Sequence, residues 1–320
     1  MRFGKSTGAI VAAIALVTVG GLVLLLGWPG SDEGSVRKFD KEPTISVYMK
    51  ETGEKQDMPI EEYVTGVVAG EMKPNWPLEA YAAQAILARS FTMEFISRGG
   101  TRAKHGTDIS TDHEEAQAYN AANITPIIRR AVEMTRGEVM TYKDQYIRAW
   151  FHSYSGGQTT SAKEGLNFRE EEPPYIRSVK IKANPYAPAD VKEWHATFPL
   201  TEVQKTLGEM GVDVGAIQEA KIERKGKTGR ATELRFKGTN GSKVVSASDF
   251  RIALDAMTMK STLLSRFQVQ GKNLTMTGKG FGHGVGLSQW DAHMLAKEGK
   301  NPEEIVKFFF KDIDIKKIWD

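Results

Sequence analysis

A carboxylate on an apolar helical face is the first place in this sequence to look for chemistry. Ile60, Val64, Val67 and Val68 recur at helical spacing, with Tyr63 beside them and Pro59 at a favoured first position. Glu71 follows Val67 by four residues, so it falls on the same face near the helix end. Partial desolvation there raises a carboxyl pKa toward values useful to a general acid. Asn75-Trp76-Pro77 then breaks the chain, and Leu78, Tyr81, Ala85, Ala88, Thr92 and Phe95 predict a second helix whose apolar face Arg89 borders. A hairpin of the two helices brings Glu71 and Arg89 near one seam. The plainer reading of that pair is a structural ion pair.

Two glycine-rich settings hold the next candidates. His152 lies in Phe151-His152-Ser153-Tyr154-Ser155-Gly156-Gly157, and His283 lies between Gly278 and Gly286, where glycine fills every second position. In a strand those five glycines share one face, which lets another backbone or a flat sugar approach closely. Tight sheet packing explains the same spacing, and each histidine taken singly is more often structural than catalytic. Other signatures fail. Leu287 stands where a dinucleotide fingerprint needs its third glycine, Lys221 where a phosphate loop needs its first, Gln117 where a zincin needs its second histidine, and Ser153 where a nucleophile elbow needs glycine.

These residues need a scaffold. The 320 residues are 40% hydrophobic and 26% charged, an ordinary globular composition, and the absence of cysteine rules out disulfides and thiolate metal sites. Residues 9–27 run without a charge and predict one transmembrane helix. Arg2 and Lys5 before it, with Asp32 and Glu33 after it, put residues 1–8 in the cytoplasm and the remainder outside a cell membrane. A cleaved signal peptide is the competing reading, although the apolar run is longer than a usual h-region. Residues 28–44 read as a linker, leaving 45–320 as a single extracytoplasmic catalytic region. The formal charge of +3 falls to +1 once Arg2 and Lys5 are set aside, which is no footprint for nucleic acid.

Within that region the pattern predicts a strand at Thr44–Met49, helices at Glu115–Tyr119 and Ile127–Thr135, and strands at Val139–Tyr142 and Tyr146–Phe151. Trp194–Leu200 and Thr201–Gly208 read as a strand and a helix, Lys221–Val245 as hairpins, Asp249–Leu254 as a helix capped by Ser246 or Ser248, and Asn301–Phe309 as a final capped helix. Helices and strands interleave without a regular βαβ rhythm, so the fold class is α+β, mixed helices and antiparallel strands.

The blocks Glu62–Met72, Trp76–Ala80, Ala82–Ser90, Phe151–Gly157 and Gly280–Trp290, in this order, resemble the stage II sporulation protein D family over roughly residues 45–318. The resemblance implies a lytic transglycosylase that cuts between N-acetylmuramic acid and N-acetylglucosamine during forespore engulfment. It implies Glu71 as catalytic acid/base and Arg89 as an arginine needed for activity. His152, Ser153, Tyr154, His283 and Gln289 are the expected substrate-binding residues. One carboxylate suffices for that reaction, whereas ordinary glycoside hydrolysis needs a second, which Asp108 or Asp291 could supply after folding. Some relatives hold zinc through a histidine and two cysteines near the glutamate. Here Ser110 and Ala116 stand at the cysteine positions with His105 close to the histidine position, so no metal and no cofactor are expected. The implied partners are peptidoglycan glycan strands and stage II sporulation proteins P and M, the first of these removing stem peptides beforehand. The rival reading is a non-catalytic peptidoglycan-binding recruiter that enhances a cell-wall amidase.

Overall fold

A computed structural model describes residues 35–320. The expected membrane span at 9–27 lies outside the described residues, and no helix within them is long and apolar enough to cross a membrane. β1 (Thr44–Tyr48) and β2 (Lys55–Pro59) form an antiparallel hairpin that sets Ile45 opposite Met58. α1 (Ile60–Glu71) follows at once, and α2 (Leu78–Ser97) packs against it. Pro59 and Pro77 stand immediately before these helices, where proline's fixed φ suits chain entry and its missing N–H costs nothing. α3 (Arg102–His105) leads to β3 (Ile109–Ser110), which joins β1 in parallel. α4 (Pro126–Met134), capped by the Thr125 hydroxyl, packs across α1 and α2, and β4 (Glu138–Tyr142) and β5 (Gln145–Tyr146) follow. After β6 (Phe151–His152) come two short helices, α5 (Ala162–Leu166) and α6 (Ala189–Lys192).

The chain then builds a second hydrophobic core. β7 (Trp194–Pro199), α7 (Leu200–Glu209), β8 (Ile217–Lys225), β9 (Ala231–Gly238), β10 (Gly241–Ser246), α8 (Ala247–Asp255), β11 (Leu264–Gln270) and β12 (Asn273–Gly278) form two antiparallel sheets, β10-β9-β8 and β11-β12-β7. Phe198, Leu234, Phe236, Phe250, Phe267 and Leu274 are buried among them. β13 (Leu287–Ser288), α9 (Gln289–Lys297), α10 (Pro302–Phe309) and β14 (Asp314–Lys317) return to the first core. There β13 pairs in parallel with β6, and β14 antiparallel with β4. The second core is thus an insertion between α6 and β13. The architecture is mixed α+β, as the sequence pattern predicts.

Three expected elements differ. Tyr146–Phe151 is not one strand: β5 ends at Tyr146, residues 147–150 belong to no strand, and β6 begins at Phe151 in a different sheet. Gly278–Gly286 is not a strand: β12 ends at Gly278, and Gly280, Gly282, Gly284 and Gly286 all take positive φ. The alternate glycines answer a winding loop with close neighbours. A Cβ at Gly286 would lie 2.0 Å from the Trp150 carbonyl, and one at Gly284 would lie 2.5 Å from the Arg230 guanidinium. Nor is Glu115–Tyr119 a helix. A turn there opens into extended chain, and the Ala118 N–H that a helix would consume is spent on a side chain instead.

Candidate active site

α1 closes where the Met72 N–H reaches back to the Val68 carbonyl at 3.1 Å, and Met72 itself is already extended. Glu71 is therefore the last helical residue, and it is 5% exposed. Its Oε1 accepts the Ala118 N–H at 2.7 Å; Oε2 has no donor among the described residues. Burial pushes its pKa up from 4.5 to about 8, opposed only by the Ala118 hydrogen bond. No second carboxylate contributes to that rise. Two glycines let the donating segment in. A Cβ at Gly66 would lie 2.1 Å from the Tyr119 ring, and one at Gly70 would lie 2.6 Å from the Ala118 carbonyl. They stand one helical turn apart on the face that the 118–120 segment covers, and the Asn120 N–H bonds the Gly66 carbonyl at 2.9 Å.

Of the expected site residues, Gln289 is the one brought to Glu71: its Nε2 lies 3.4 Å from the Glu71 carbonyl. The Ser153 carbonyl accepts the Trp290 N–H at 3.0 Å, and the Tyr154 backbone pairs with Phe281. Asp291 is fully buried, its carboxylate accepting from Ser155 at 2.6 Å, Ser288 at 2.5 Å and Asn184 at 3.0 Å. Asp108 is engaged by Ser46 and Arg102. Both alternative second carboxylates are thus committed to holding loops together.

Arg89 is not a partner of Glu71. Its guanidinium grips Glu61 through Nη2 at 2.6 Å and Nε at 3.0 Å, and donates to the Glu138 carbonyl at 2.9 Å. Glu61 also accepts the Gly137 N–H and the Trp319 indole N–H, each at 2.9 Å. Ten residues of helix at about 1.5 Å each separate Glu61 from Glu71, roughly 15 Å. The seam between α1 and α2 does contain an ion pair, but at the other end of α1. Arg89 ties α1 to α2 and does not reach Glu71.

His152 and His283 are interior as well. His152 Nδ1 lies 3.1 Å from the Val285 carbonyl, His283 Nδ1 accepts the Val285 N–H at 3.0 Å, and the rings are 5.5 Å apart. Burial first, and then neighbouring cationic groups, hold both pKa values down, His283 to about 3, so both rings are neutral at physiological pH. Both rings are buried, and their contacts with the Val285 backbone tie the glycine loop to β6.

The residues at the zinc positions do not suit that metal. His105 Nε2 lies 2.9 Å from Glu115 Oε2 while its ring stacks 3.8 Å from Tyr48, the Ser110 hydroxyl accepts the Asp112 N–H, and Ala116 offers no donor atom. Among the described residues, no group of three His, Cys, Asp or Glu side chains could hold a metal. The His105–Glu115 pair, joined by Lys104, instead ties down the segment that leads to Ala118.

Sequence reasoning missed Glu61 and the Ala118 N–H. Gly66 and Gly70, four residues apart, were the available signal for a backbone crossing α1. A cavity of about 670 Å³ opens elsewhere, between α5 and the β8–β10 sheet, and Glu71 does not line it.

The arrangement defines a class: an α+β protein with an inserted second core and one desolvated carboxylate at a helix end. A family model described as Stage II sporulation protein matches residues 48–142, and a second, a domain of unknown function, matches residues 167–286. Stage II sporulation protein D of Bacillus subtilis is 31% identical over 296 residues, covering 85% of this chain and 78% of that protein. An uncharacterized protein of Brachyspira hyodysenteriae is 32% identical over 260 residues, covering 81% and 67%. The amidase enhancer of Bacillus subtilis is 26% identical over 288 residues, covering 77% and 39%. This chain belongs to the stage II sporulation protein D family.

Proposed function

We propose that this chain is a peptidoglycan lytic transglycosylase of sporulation. It acts on denuded glycan during forespore engulfment, from a membrane anchor at residues 9–27 with its N-terminus in the cytoplasm. Stage II sporulation proteins P and M are its proposed partners. The observation that carries this reading is Glu71: one buried carboxylate whose pKa of about 8 keeps it protonated at neutral pH, with no second carboxylate acting on it among the described residues.

In this mechanism Glu71 protonates the glycosidic oxygen as the bond from that oxygen to the muramic C1 breaks. The resulting carboxylate is held by the Ala118 N–H. It then takes the proton of the muramic C6 hydroxyl as that oxygen bonds C1, giving a 1,6-anhydro end and restoring the acid. Inverting hydrolysis would need a second carboxylate to activate water. The likeness to an amidase enhancer supports a second reading, in which the chain binds glycan and recruits an amidase without cutting.

The test incubates the full-length chain and its Glu71→Gln variant with denuded strands and reads the products by mass spectrometry. Anhydromuramic ends from wild type alone are the expected result. Reducing ends would replace the mechanism with hydrolysis, and binding without cleavage would favour the recruiter.

A further inference from the structure

Next to Gln289, which reaches the Glu71 carbonyl, lies an aromatic cluster that the acid/base chemistry does not use. Trp76, in the turn after α1, packs against Trp290 with ring centroids 4.7 Å apart, and His293 meets Trp76 at 5.0 Å. Tyr186 meets the other side of that group, 5.0 Å from His293, and is 45% exposed. Trp290 is only half-buried and directly follows Gln289, the residue that touches the Glu71 carbonyl.

Lys73 extends over this surface with Nζ 5.4 Å from the Trp290 ring centroid. It is exposed, and its ammonium makes no ion pair among the described residues. Asp190, the carboxylate that feels its charge, is already bound to Lys260 at 2.6 Å. Half-exposed aromatic faces suit the C–H face of a pyranose, and an ammonium resting on a ring face gains a far stronger partner in a carboxylate. Lys73 lies two residues beyond Glu71, within about 7 Å along the backbone, which puts this surface at the same end of α1 as the acid.

We propose that Lys73, Trp290 and Tyr186 form the subsite for the N-acetylmuramic acid whose bond is cut, with Lys73 pairing with its lactyl carboxylate. The assignment rests on the lytic transglycosylase reading for its substrate class. It gives that reading a physical source of preference for denuded strands, because a stem peptide turns the lactyl carboxylate into a neutral amide. Trp290 and Tyr186 supply stacking that either form of the sugar can use.

The test measures binding and cleavage by the full-length chain on two substrates: denuded strands, and the same strands with lactyl carboxylates converted to methyl amides. Wild type should bind the carboxylate strands roughly tenfold more tightly. Lys73→Met should lose that difference, its dissociation constant and KM rising on carboxylate strands and matching wild type on amidated ones. Lys73→Arg should restore most of the preference, and Tyr186→Ala should weaken both substrates alike. Lys73 is exposed, so thermal midpoints of its variants should match wild type. Equal weakening of both substrates by Lys73→Met, or no weakening, would overturn the subsite. Cleavage without Lys73 dependence would sink the subsite and leave the transglycosylase reading standing. Carboxylate- and Lys73-dependent binding without cleavage would do the reverse.

Discussion

Glu61 and Glu71 stand ten residues apart on one helix, both buried, and meet opposite surroundings. Glu61 has the Arg89 guanidinium, a backbone N–H and an indole N–H, so its charge is compensated on every side. Among the described residues, Glu71 has a single N–H donor, from Ala118, and no ion pair. The first arrangement fixes the helix, while the second leaves a proton that can leave and return. Burial alone does not make a carboxylate reactive; the number of compensating donors decides.

The largest expected effect is at the uncompensated end. Glu71→Gln should lower anhydromuramic product by about 10²- to 10⁴-fold without loss of fold. It should also raise the thermal midpoint in alkaline buffer. The folded pKa of about 8 exceeds the ordinary 4.5, so the folded state holds the extra proton between those values. Stability is then greatest below pH 4.5 and falls as pH climbs toward 8, by roughly 3–5 kcal/mol in full. Glutamine does not ionise, so the gap between variant and wild type should widen from pH 5 to pH 9; a constant gap would remove the desolvation argument.

At the compensated end the ordering reverses. Arg89→Met strands Glu61 in the interior and should cost about 3–5 kcal/mol of stability, read as a drop in the denaturant midpoint. Activity should fall only as folded protein falls, and the pH–rate profile of the remainder should keep its alkaline limb near 8. A well-folded Arg89→Met protein with collapsed kcat would break the comparison and return Arg89 to the reaction.

The two helices, the caps of α8 and α10, and the insertion's hairpins are legible in sequence because they depend on local periodicity and capping chemistry. Glu71 is legible for the same reason, as a charge on an apolar stripe. Its surroundings are not. Ala118 acts through its backbone, which carries no sequence signature, and Arg89 found Glu61 rather than Glu71 because helix spacing says which face a residue shares and not which turn of the neighbour it meets. The glycine loop misled in another way: alternation on one face of a strand and alternation of positive φ in a loop give the same letters.

A smaller perturbation tests the single donor. Gly70→Ala places a Cβ 2.6 Å from the Ala118 carbonyl, so the covering segment must shift, at about 1–3 kcal/mol. Because the Ala118 N–H favours the charged form of Glu71, weakening it should move the alkaline limb of the rate profile upward. An unmoved limb with the same loss of stability would show that the segment shifts without releasing the hydrogen bond.

The smallest expected effect is at Gln289. Its 3.4 Å approach to the Glu71 carbonyl is long for a hydrogen bond, and that carbonyl belongs to the helix end rather than to the side-chain carboxyl. Gln289→Ala should therefore cost under about 1 kcal/mol of stability and leave the alkaline limb where it is, since nothing at the carboxyl oxygens changes. A loss in kcat/KM beyond about tenfold, with the fold intact, would mean that the amide meets the sugar directly. Glu71 would then share its end of α1 with a second polar group that acts on substrate, and the contrast between the two glutamates would become one between a structural node and a composite site.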